Sequence, residues 1–483
     1  MTVPAGLHRT SVDGVVRLVG LVGAVLLCAG SWAVVRAGAW APPGLAVACC
    51  GVGLVVVAWG VAARAVLRGT VPPPGWSVRT LALWAAPLLV APPLFSKDVF
   101  SYLAQGGVVA RGLDPHVLGP VDGLPAGSAL LAEVDGHWRA TPSPYGPVTD
   151  ALQGAIAVLT GEGVAAAVAL HRVLGVLAVL GVVWAVPRLA ARCGIAREGA
   201  LLLAAANPLV LWHLLGGVHN DGPMLALALC GLAVALRGID TGRFGPVAAG
   251  VGLVTLGALV KAPAAAALAV IAVAAARPPQ RRARYAPLVV LGIGAGALAV
   301  VTVVSLAVSG ATGSATSWLL STATPGRLGS WMAPTNWPGF AAGALGGPGA
   351  AAGTLALGRT VGAVVSVLLV VLLLVRQWQG RRDPVGTLAL VYTAVVVLGP
   401  VVQPWYVLWA AVPLFASAVG DRARRWTAGA VAVFAVAVPP SAGDFSARVP
   451  DLVLAYGAAV VVAGIAHLVL RRAERAPPHA GDR

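Results

Sequence analysis

Charged residues are scarce in this chain. Only 10% of its 483 residues are Asp, Glu, Lys or Arg, whereas 58% are apolar, and the mean hydropathy is +0.87. So few charges cannot cover the surface of a water-soluble protein of this length. The sequence therefore predicts an all-α, polytopic transmembrane protein in one membrane domain spanning residues 1–483.

Cysteine is also rare, and its spacing excludes a metal-binding or disulfide framework. The five cysteines lie mostly in apolar segments and share no metal-ligand spacing, so we expect small core residues. The formal charge of +16 would suggest a nucleic-acid partner in a soluble protein. In a membrane protein the distribution of that charge matters more, and we expect no nucleic acid.

Apolar runs indicate the number of membrane spans. A spanning helix needs about 20 mainly apolar residues, and about 12–14 helices satisfy or approach that length. The candidate segments are 15–35, 44–66, 80–95, 164–187, 198–215, 222–236, 245–260, 262–276, 286–308, 356–376, 385–402, 405–419, 427–439 and 452–470. The first run continues past Ala29 without a cleavage pattern, so we expect an anchor and not a cleaved signal.

Basic residues predict the orientation, because Lys and Arg concentrate in cytoplasmic loops. Alternate loops, together with both termini and the tail 471–483, hold 24 of the 33 Lys and Arg residues, and ten of the 17 acidic residues fall on the opposite side. We therefore expect both termini in the cytoplasm. Two large loops, 96–163 and 309–355, would then be extracytoplasmic, the first with interfacial helices on the outer leaflet.

Polar residues gather at the predicted outer ends of the helices. The first loop begins with Lys97 and Asp98, and a tight turn between two apolar segments carries "HND". Further along the chain come Arg172, Lys261 and the group Gln403, Trp405 and Tyr406. An ionisable residue costs about 3 kcal/mol or more to place in a membrane, so these residues are functional candidates.

Each candidate also has a structural alternative. Lys261 could reach the headgroups, Trp405 and Tyr406 could form an interfacial belt, and Arg172 could pair with a neighbouring helix. His219, Asn220 and Asp221 could cap a helix, as could Asp98, and Asp114-Pro115 could form a turn. The convergence of carboxylates and cations on one face favours binding of a headgroup with both phosphate and sugar.

Five motifs together resemble a known family. These are "KDVFSYLAQGGVVARGLDPH", "SPYGPV", "HND", "STATPGRLGSWMAPTNWPG" and "QPWYVLW", in this order along nearly the whole chain. The set is similar to the polyprenol-phosphomannose-dependent α-1,6-mannosyltransferases of actinobacteria, which are GT-C membrane glycosyltransferases. His116 departs from the pattern, because the family commonly has Tyr after Asp-Pro, and this puts a stacking role there in doubt.

The resemblance implies a polyprenyl-phosphate-mannose donor, an inverting transfer outside the cytoplasmic membrane, and a lipid-linked mannan acceptor of the lipomannan/lipoarabinomannan core. An inverting transfer needs a carboxylate base, for which Asp98 is the candidate. The leaving phosphate needs cations, for which Lys261, Arg172 and Lys97 are candidates. The remaining predicted substrate-binding residues are Tyr102, Asp114, Tyr145, His219, Asn220, Asp221, Trp331, Asn336, Gln403, Trp405 and Tyr406, with Trp318 and Trp337 also placed to cover sugars.

The sequence leaves the use of a metal ion and the class of function undecided. No Gly-rich phosphate loop or soluble α/β domain is visible, which fits a lipid-linked donor, and no cofactor is assigned. A divalent cation between the phosphate and Asp98 or Asp221 is an open possibility, although no metal site is predicted. The competing function is a transporter or flippase of a polyprenyl-linked sugar, although neither a midplane charge pair nor a repeat is visible. A purely structural assembly partner is a third option.

Overall fold

The computed structural model describes residues 5–277, 286–312, 316–321, 329–440 and 448–475. Part of the basic run "RPPQRRAR" and part of "STATPGRLGSWMAPTNWPG" lie outside these residues. The described residues form helices and connecting turns, without a β-strand. This confirms the predicted all-α class.

The helices follow the apolar runs along the chain. In order they are α1 (Ala5–Val35), α2 (Ala41–Leu67), α3 (Trp76–Leu88), α4 (Asp98–Ala110), α5 (Pro120–Gly123), α6 (Gly136–Arg139), α7 (Pro147–Thr160), α8 (Val164–Arg192), α9 (Arg197–Ala205), α10 (Asp221–Thr241), α11 (Phe244–Val260), α12 (Ala266–Ala276), α13 (Ala286–Thr312), α14 (Ser317–Ser321), α15 (Trp337–Trp378), α16 (Pro384–Leu398), α17 (Val407–Phe415), α18 (Asp421–Val436) and α19 (Val449–Arg475). A π-helix covers Val210–Gly216, and 3-10 turns cover Gly38–Trp40, Ala129–Leu131, Ala262–Ala265, Pro334–Asn336 and Pro404–Tyr406.

Seven helical segments of the described chain are long and apolar enough to cross a membrane. They are Asp13–Val35, Gly38–Leu67, Val164–Arg192, Asp221–Thr241, Pro287–Ala307, Pro334–Trp378 and Val449–Glu474. An eighth span would be the pair Arg197–Ala205 and Val210–Gly216, bent by 61°. The protein is therefore a multi-pass membrane protein.

The shorter predicted segments have different outcomes. Four correspond to apolar helices of 10–17 residues: Phe244–Val260, Ala262–Ala276, Pro384–Leu398 and Pro404–Phe415. The segments predicted near 80–95 and 427–439 correspond to α3 and α18. These two helices are neither among the seven long spans nor among the four shorter apolar helices. With 13 and 16 residues, these helices are shorter than a typical span. Conversely, α15 begins at Trp337, so helix extends into the predicted loop 309–355.

The chain divides into two compact units, each assembled from separate segments. The first unit, unit 1, comprises Met1–Ser96, Glu198–Gly217 and Asp421–Arg483, and the second unit, unit 2, comprises Lys97–Arg197 and Val218–Gly420. In unit 1, α2 packs against α1, α18 and α19. Gly30 and Gly51 lie where α1 and α2 meet, and a methyl group at either would overlap the facing backbone. Small residues thus permit the close helix approach typical of membrane proteins.

In unit 2, the first predicted loop has its own hydrophobic core. Val99, Tyr102, Leu130, Ile156 and Ala167 pack together in this core. Nine of the thirteen residues of α4 are buried, and α4 packs against α7. Protein therefore covers most of the α4 surface, and the position of this loop on the outer leaflet stays a prediction. The core gives the residues at its edge fixed positions.

A buried histidine–aspartate pair connects two parts of this loop. His116 Nε2 lies 2.7 Å from Asp150 Oδ2, and His116 Nδ1 lies 2.9 Å from the Ser143 carbonyl oxygen. When Asp150 is ionised both partners are acceptors, and the imidazole then donates from both nitrogens and carries a positive charge. Burial lowers the pKa of His116, but the hydrogen bond and charge of Asp150 outweigh burial and raise it above its usual value.

Gly146 of "SPYGPV" fixes the contact between α7 and α11. Its N–H donates to the Val260 carbonyl over 3.3 Å, and Thr149 Oγ1 donates to the same oxygen over 3.1 Å. A methyl group at position 146 would overlap the Leu259 carbonyl oxygen. Glycine therefore lets Tyr145 approach Lys261, the residue that follows α11.

The His116–Asp150 pair predicts a pH-dependent stability. A histidine whose folded pKa is raised stabilises the fold fully below its unfolded pKa of about 6.5, and this contribution is lost as pH rises through the folded value. We expect Asp150→Asn to cost about 1.5–3 kcal/mol near pH 6 and less at pH 9. Thermal melts of the purified protein at both pH values test this, with the exposed Asp122→Asn as control. An equal loss at both pH values would contradict a charged His116.

The close contact at Gly146 predicts a position-specific cost for a methyl group. We expect Gly146→Ala to destabilise the protein by about 1–3 kcal/mol, because the α7–α11 contact must widen. Gly127→Ala is the matched control, since nothing lies within 4 Å of a side chain there. Melting temperatures of the two variants give the comparison, and an unchanged value for Gly146→Ala would show that α7 can shift freely.

Candidate active site

Unit 2 contains a cavity of about 290 Å³ in which charged and aromatic side chains converge. This volume lies near the lower end of the range for small-molecule sites, roughly 300–1,000 Å³, and suits a ligand of about one sugar ring. Its lining includes six predicted residues: Asp98, Tyr145, Lys261, Gln403, Trp405 and Tyr406.

Asp98 is the first residue of α4. Its side chain is 20% exposed, and Oδ2 lies 3.5 Å from His219 Nδ1. The partial positive charge of a helix N-terminus stabilises a carboxylate in the first turn. Asp98 is thus an accessible carboxylate held at a helix end, and such a group can accept a proton from a bound hydroxyl.

Lys261 lies in extended backbone between α11 and the 3-10 turn. The following Ala-Pro sequence ends the α11 pattern, because Pro263 has no N–H to continue it. Lys261 Nζ donates to both carboxylate oxygens of Asp221, over 2.9 and 3.0 Å. Asp221 is almost entirely buried, whereas the lysine side chain is 13% exposed and lines the cavity.

Trp409 completes this buried ion pair. Its Nε1 donates to Asp221 Oδ1 over 2.7 Å. The Lys261 ammonium also lies over the rings of Tyr406, Trp409 and Tyr145, at 4.5, 5.3 and 6.0 Å from their centroids. Tyr406 and Trp409 stack at 4.3 Å. Hydrogen bonds and ring faces therefore hold the ammonium in one position at the cavity wall.

A second aromatic contact lies beside Asp98. The His219 ring stacks on Trp405 with centroids 3.7 Å apart and planes 21° from parallel. His219 is buried, and Trp405 lines the cavity. This contact places the "HND" turn and the "QPWYVLW" motif next to the Asp98 carboxylate.

The "HND" turn and Tyr102 support the cavity from behind it. Asp221 holds Lys261, and Asn220 lies at the N-cap of α10, where its side chain makes no capping bond. Tyr102 is buried in the loop core, and its ring meets that of Tyr145 edge to face at 5.5 Å. Asp221 and Tyr102 act on the cavity through Lys261 and Tyr145, the lining residues that they contact.

Five other predicted residues lie away from the cavity lining. Lys97 Nζ is 3.7 Å from Glu133 Oε2, Arg172 is buried in α8, and the Asp114 carboxylate accepts the His116 N–H within a turn. Trp331 is 65% exposed, and its carbonyl oxygen accepts from Trp337 Nε1. The buried Asn336 donates to the carbonyls of Ser330 and Pro400 and accepts from Arg359, which orders the local backbone. His116 lies outside the lining too.

Three ring-bearing side chains of this region, those of His137, Trp138 and Trp409, were not predicted from the sequence. His137 and Trp138 line the cavity from α6, but the surrounding "DGHWRA" has no pattern that distinguishes it from an ordinary loop. Trp409 follows Tyr406 by three residues, and residues at this spacing share a helix face. That spacing was the available signal for Trp409.

No group of three or more His, Cys, Asp or Glu residues in the described parts of the chain could hold a metal ion. Both oxygens of Asp221 already accept hydrogen bonds from Lys261. The residue set therefore offers a carboxylate, an ammonium and aromatic rings as its reactive and binding groups.

Comparison with known proteins covers both halves of the chain. Residues 17–277 match the family described as alpha-(1→6)-mannopyranosyltransferase, N-terminal domain, and residues 338–468 match the MptB C-terminal domain. A protein of Mycolicibacterium smegmatis named a probable alpha-(1→6)-mannopyranosyltransferase is 36% identical over 418 residues, covering 81% of this chain and 74% of that protein.

Two further relatives agree with these matches. An alpha-(1→6)-mannopyranosyltransferase of Mycobacterium tuberculosis is 36% identical over 75% of this chain and 69% of its own length. Alpha-(1→6)-mannopyranosyltransferase B of Corynebacterium glutamicum is 36% identical over 70% of this chain and 58% of its own length. The chain described here belongs to the alpha-(1→6)-mannopyranosyltransferase family.

Proposed function

We propose that this protein is an inverting α-1,6-mannosyltransferase that moves mannose from polyprenyl-phosphate-mannose to a lipid-linked mannan. The observation that carries the proposal is one sugar-sized cavity lined by an accessible carboxylate, Asp98, and a fixed ammonium, Lys261. The names of the relatives support mannosyl transfer with an α-1,6 linkage. The lipid-linked donor is supported by the membrane-spanning helices and the family resemblance.

In the proposed reaction, an acceptor hydroxyl attacks the anomeric carbon while the bond from that carbon to the phosphate oxygen breaks. The proton of the hydroxyl passes to the Asp98 carboxylate, and the bonding electrons leave with the polyprenyl phosphate. General base catalysis of this kind contributes about 10²- to 10⁴-fold. The leaving group is already a stable anion, so it needs charge stabilisation and no proton.

Lys261 supplies that charge in this proposal. An ammonium has three N–H donors, and Asp221 accepts from Lys261 with both of its oxygens. The ammonium also lines the cavity, where a bound phosphate would meet its positive charge. The rings of Trp405, Trp138 and Tyr145 line the same cavity and offer stacking faces for the mannose ring.

The positions of the other two candidate cations reduce the number of residues that could contact the phosphate. Lys97 lies beside Glu133, and Arg172 is buried in α8, so neither joins Lys261 in the lining. We therefore assign the phosphate contact to Lys261 and keep Asp221 as its counterion. The site contains no metal in this proposal.

We place this site on the extracytoplasmic side of the cytoplasmic membrane, with both termini in the cytoplasm. The support is the distribution of charge, since 24 of the 33 basic residues fall in alternate loops and at the termini. A donor anchored by its polyprenyl tail stays near the headgroups, which suits a base at a helix end.

The base assignment predicts the phenotype of Asp98→Asn. This change keeps the side-chain shape and removes the proton acceptor, so we expect transfer below about 1% of wild type with unchanged folding. The assay supplies purified protein with radiolabelled polyprenyl-phosphate-mannose and an oligomannoside, and measures chain extension. Asp122→Asn, an exposed carboxylate of the same loop, is the matched control and should remain active.

Two results would contradict this proposal in different ways. Near wild-type extension by folded Asp98→Asn would show that another group is the base. Wild-type protein in vesicles that moves label across the bilayer without a new glycosidic bond would favour the flippase.

The orientation predicts which engineered cysteines face the outside. In a background without the five native cysteines, we expect Gly127→Cys to react with an impermeant thiol reagent on intact cells. Ala196→Cys, also exposed and predicted cytoplasmic, should react only after the membrane is opened. Labelling of Ala196→Cys in intact cells would reverse the orientation and place the site on the cytoplasmic side.

A further inference from the structure

Unit 1 contains a second cavity, separate in its residues from the candidate active site. It has a volume of about 820 Å³ and lies between the C-terminal end of α2 and the first three turns of α18. Four arginines and one carboxylate line it: Arg64, Arg68, Arg424, Arg425 and Asp421. Four positive charges less one negative charge leave a lining of +3.

This charge is poorly balanced within the protein. Arg64 lies in the last turn of α2, and Arg68 follows four residues later at the C-cap, so their like charges repel each other. Arg424 Nη1 is 3.8 Å from Asp421 Oδ1, a long contact, and no described carboxylate forms an ion pair with the other three arginines. An anion in the cavity would relieve this repulsion.

Two buried donors at the cavity lack partners in the described part of the chain. The Arg424 side chain is 12% exposed, and its Nε has no hydrogen-bond acceptor. Trp59 is 1% exposed, and its Nε1 likewise has none. Buried donors are costly when unpaired, so their presence at one cavity indicates a ligand that brings acceptor atoms.

The rest of the lining is apolar, and α2 is part of the span Gly38–Leu67. Ala63, Leu67, Ala428 and Ala432 lie beside the arginines. A ligand here therefore meets positive charge at the end of a spanning helix and an apolar surface alongside. This combination suits an amphiphile with an anionic head, and it suits a free inorganic anion less well.

We propose that this cavity binds the headgroup of an anionic phospholipid. The phosphate oxygens accept hydrogen bonds from Arg424 and neighbouring arginines, and the acyl chains lie along the apolar surface of α2 and α18. Basic pockets between membrane helices recognise anionic headgroups by the same combination of charge and apolar contact. None of the residues that line this cavity lines the candidate active site.

Native mass spectrometry of the full-length protein in a neutral detergent tests this proposal. Titration with dioleoyl phosphatidylglycerol should show one retained lipid that binds roughly tenfold more tightly than dioleoyl phosphatidylcholine. Arg424→Gln should weaken the phosphatidylglycerol complex about fivefold. Arg472→Gln, an exposed arginine of α19 outside the cavity, should leave it unchanged.

A second variant guards against misfolding of Arg424→Gln. Arg64 and Arg68 are exposed, so the double change Arg64→Gln/Arg68→Gln should fold and still weaken lipid binding. Equal affinity for the two lipids, or an equal loss in Arg472→Gln, would overturn the proposal. Displacement of phosphatidylglycerol by inorganic phosphate at millimolar concentration would show a free-anion site instead. Because lipid retention is the readout, none of these outcomes depends on the proposed transferase activity.

Discussion

The buried ion pair between Lys261 and Asp221 fixes the geometry of the candidate site. Three separate parts of the chain meet at it: the start of α10, the turn after α11, and α17 through Trp409. A lone charge in such surroundings would be strongly unfavourable, so removing one partner is expected to cost far more than a surface ion pair does. The contact of Gly146 with the backbone before Lys261 then places Tyr145, and stacking on Trp409 places Tyr406.

This pair also distinguishes the two carboxylates. The Asp221 oxygens accept three hydrogen bonds from Lys261 and Trp409, and the residue is buried. Asp98 is partly exposed, begins a helix and lines the cavity. A base must reach a substrate hydroxyl, whereas a counterion must stay with its cation. The surroundings thus favour Asp98 as base and Asp221 as the residue that positions Lys261.

The sequence predicted the features that depend on local signals. Long apolar runs identified the seven long spans. Motifs identified five residues of the cavity lining, among them Asp98 and Trp405, and the position of a charge at a helix end identified a sixth, Lys261. It could not predict the partner of Lys261, because Asp221 is forty residues away and the pairing depends on how α10 and α11 pack. His137 and Trp138 were not predicted for a related reason, because their position in the cavity depends on how the hydrophobic core of the first predicted loop packs. The helices α3 and α18, at two predicted spans, are shorter than a typical span. Apolar composition alone did not predict where these helices end.

The most direct measurement is a double-mutant cycle on Lys261 and Asp221 in the mannosyl-transfer assay. If Asp221 acts only by holding Lys261, the double variant Asp221→Asn/Lys261→Gln should transfer mannose no more slowly than Lys261→Gln alone, which we expect to lose at least about tenfold, or 1.4 kcal/mol. Additive losses, with the double variant slower by the product of the two single effects, would contradict this account, because Asp221 would then have a role of its own in the reaction.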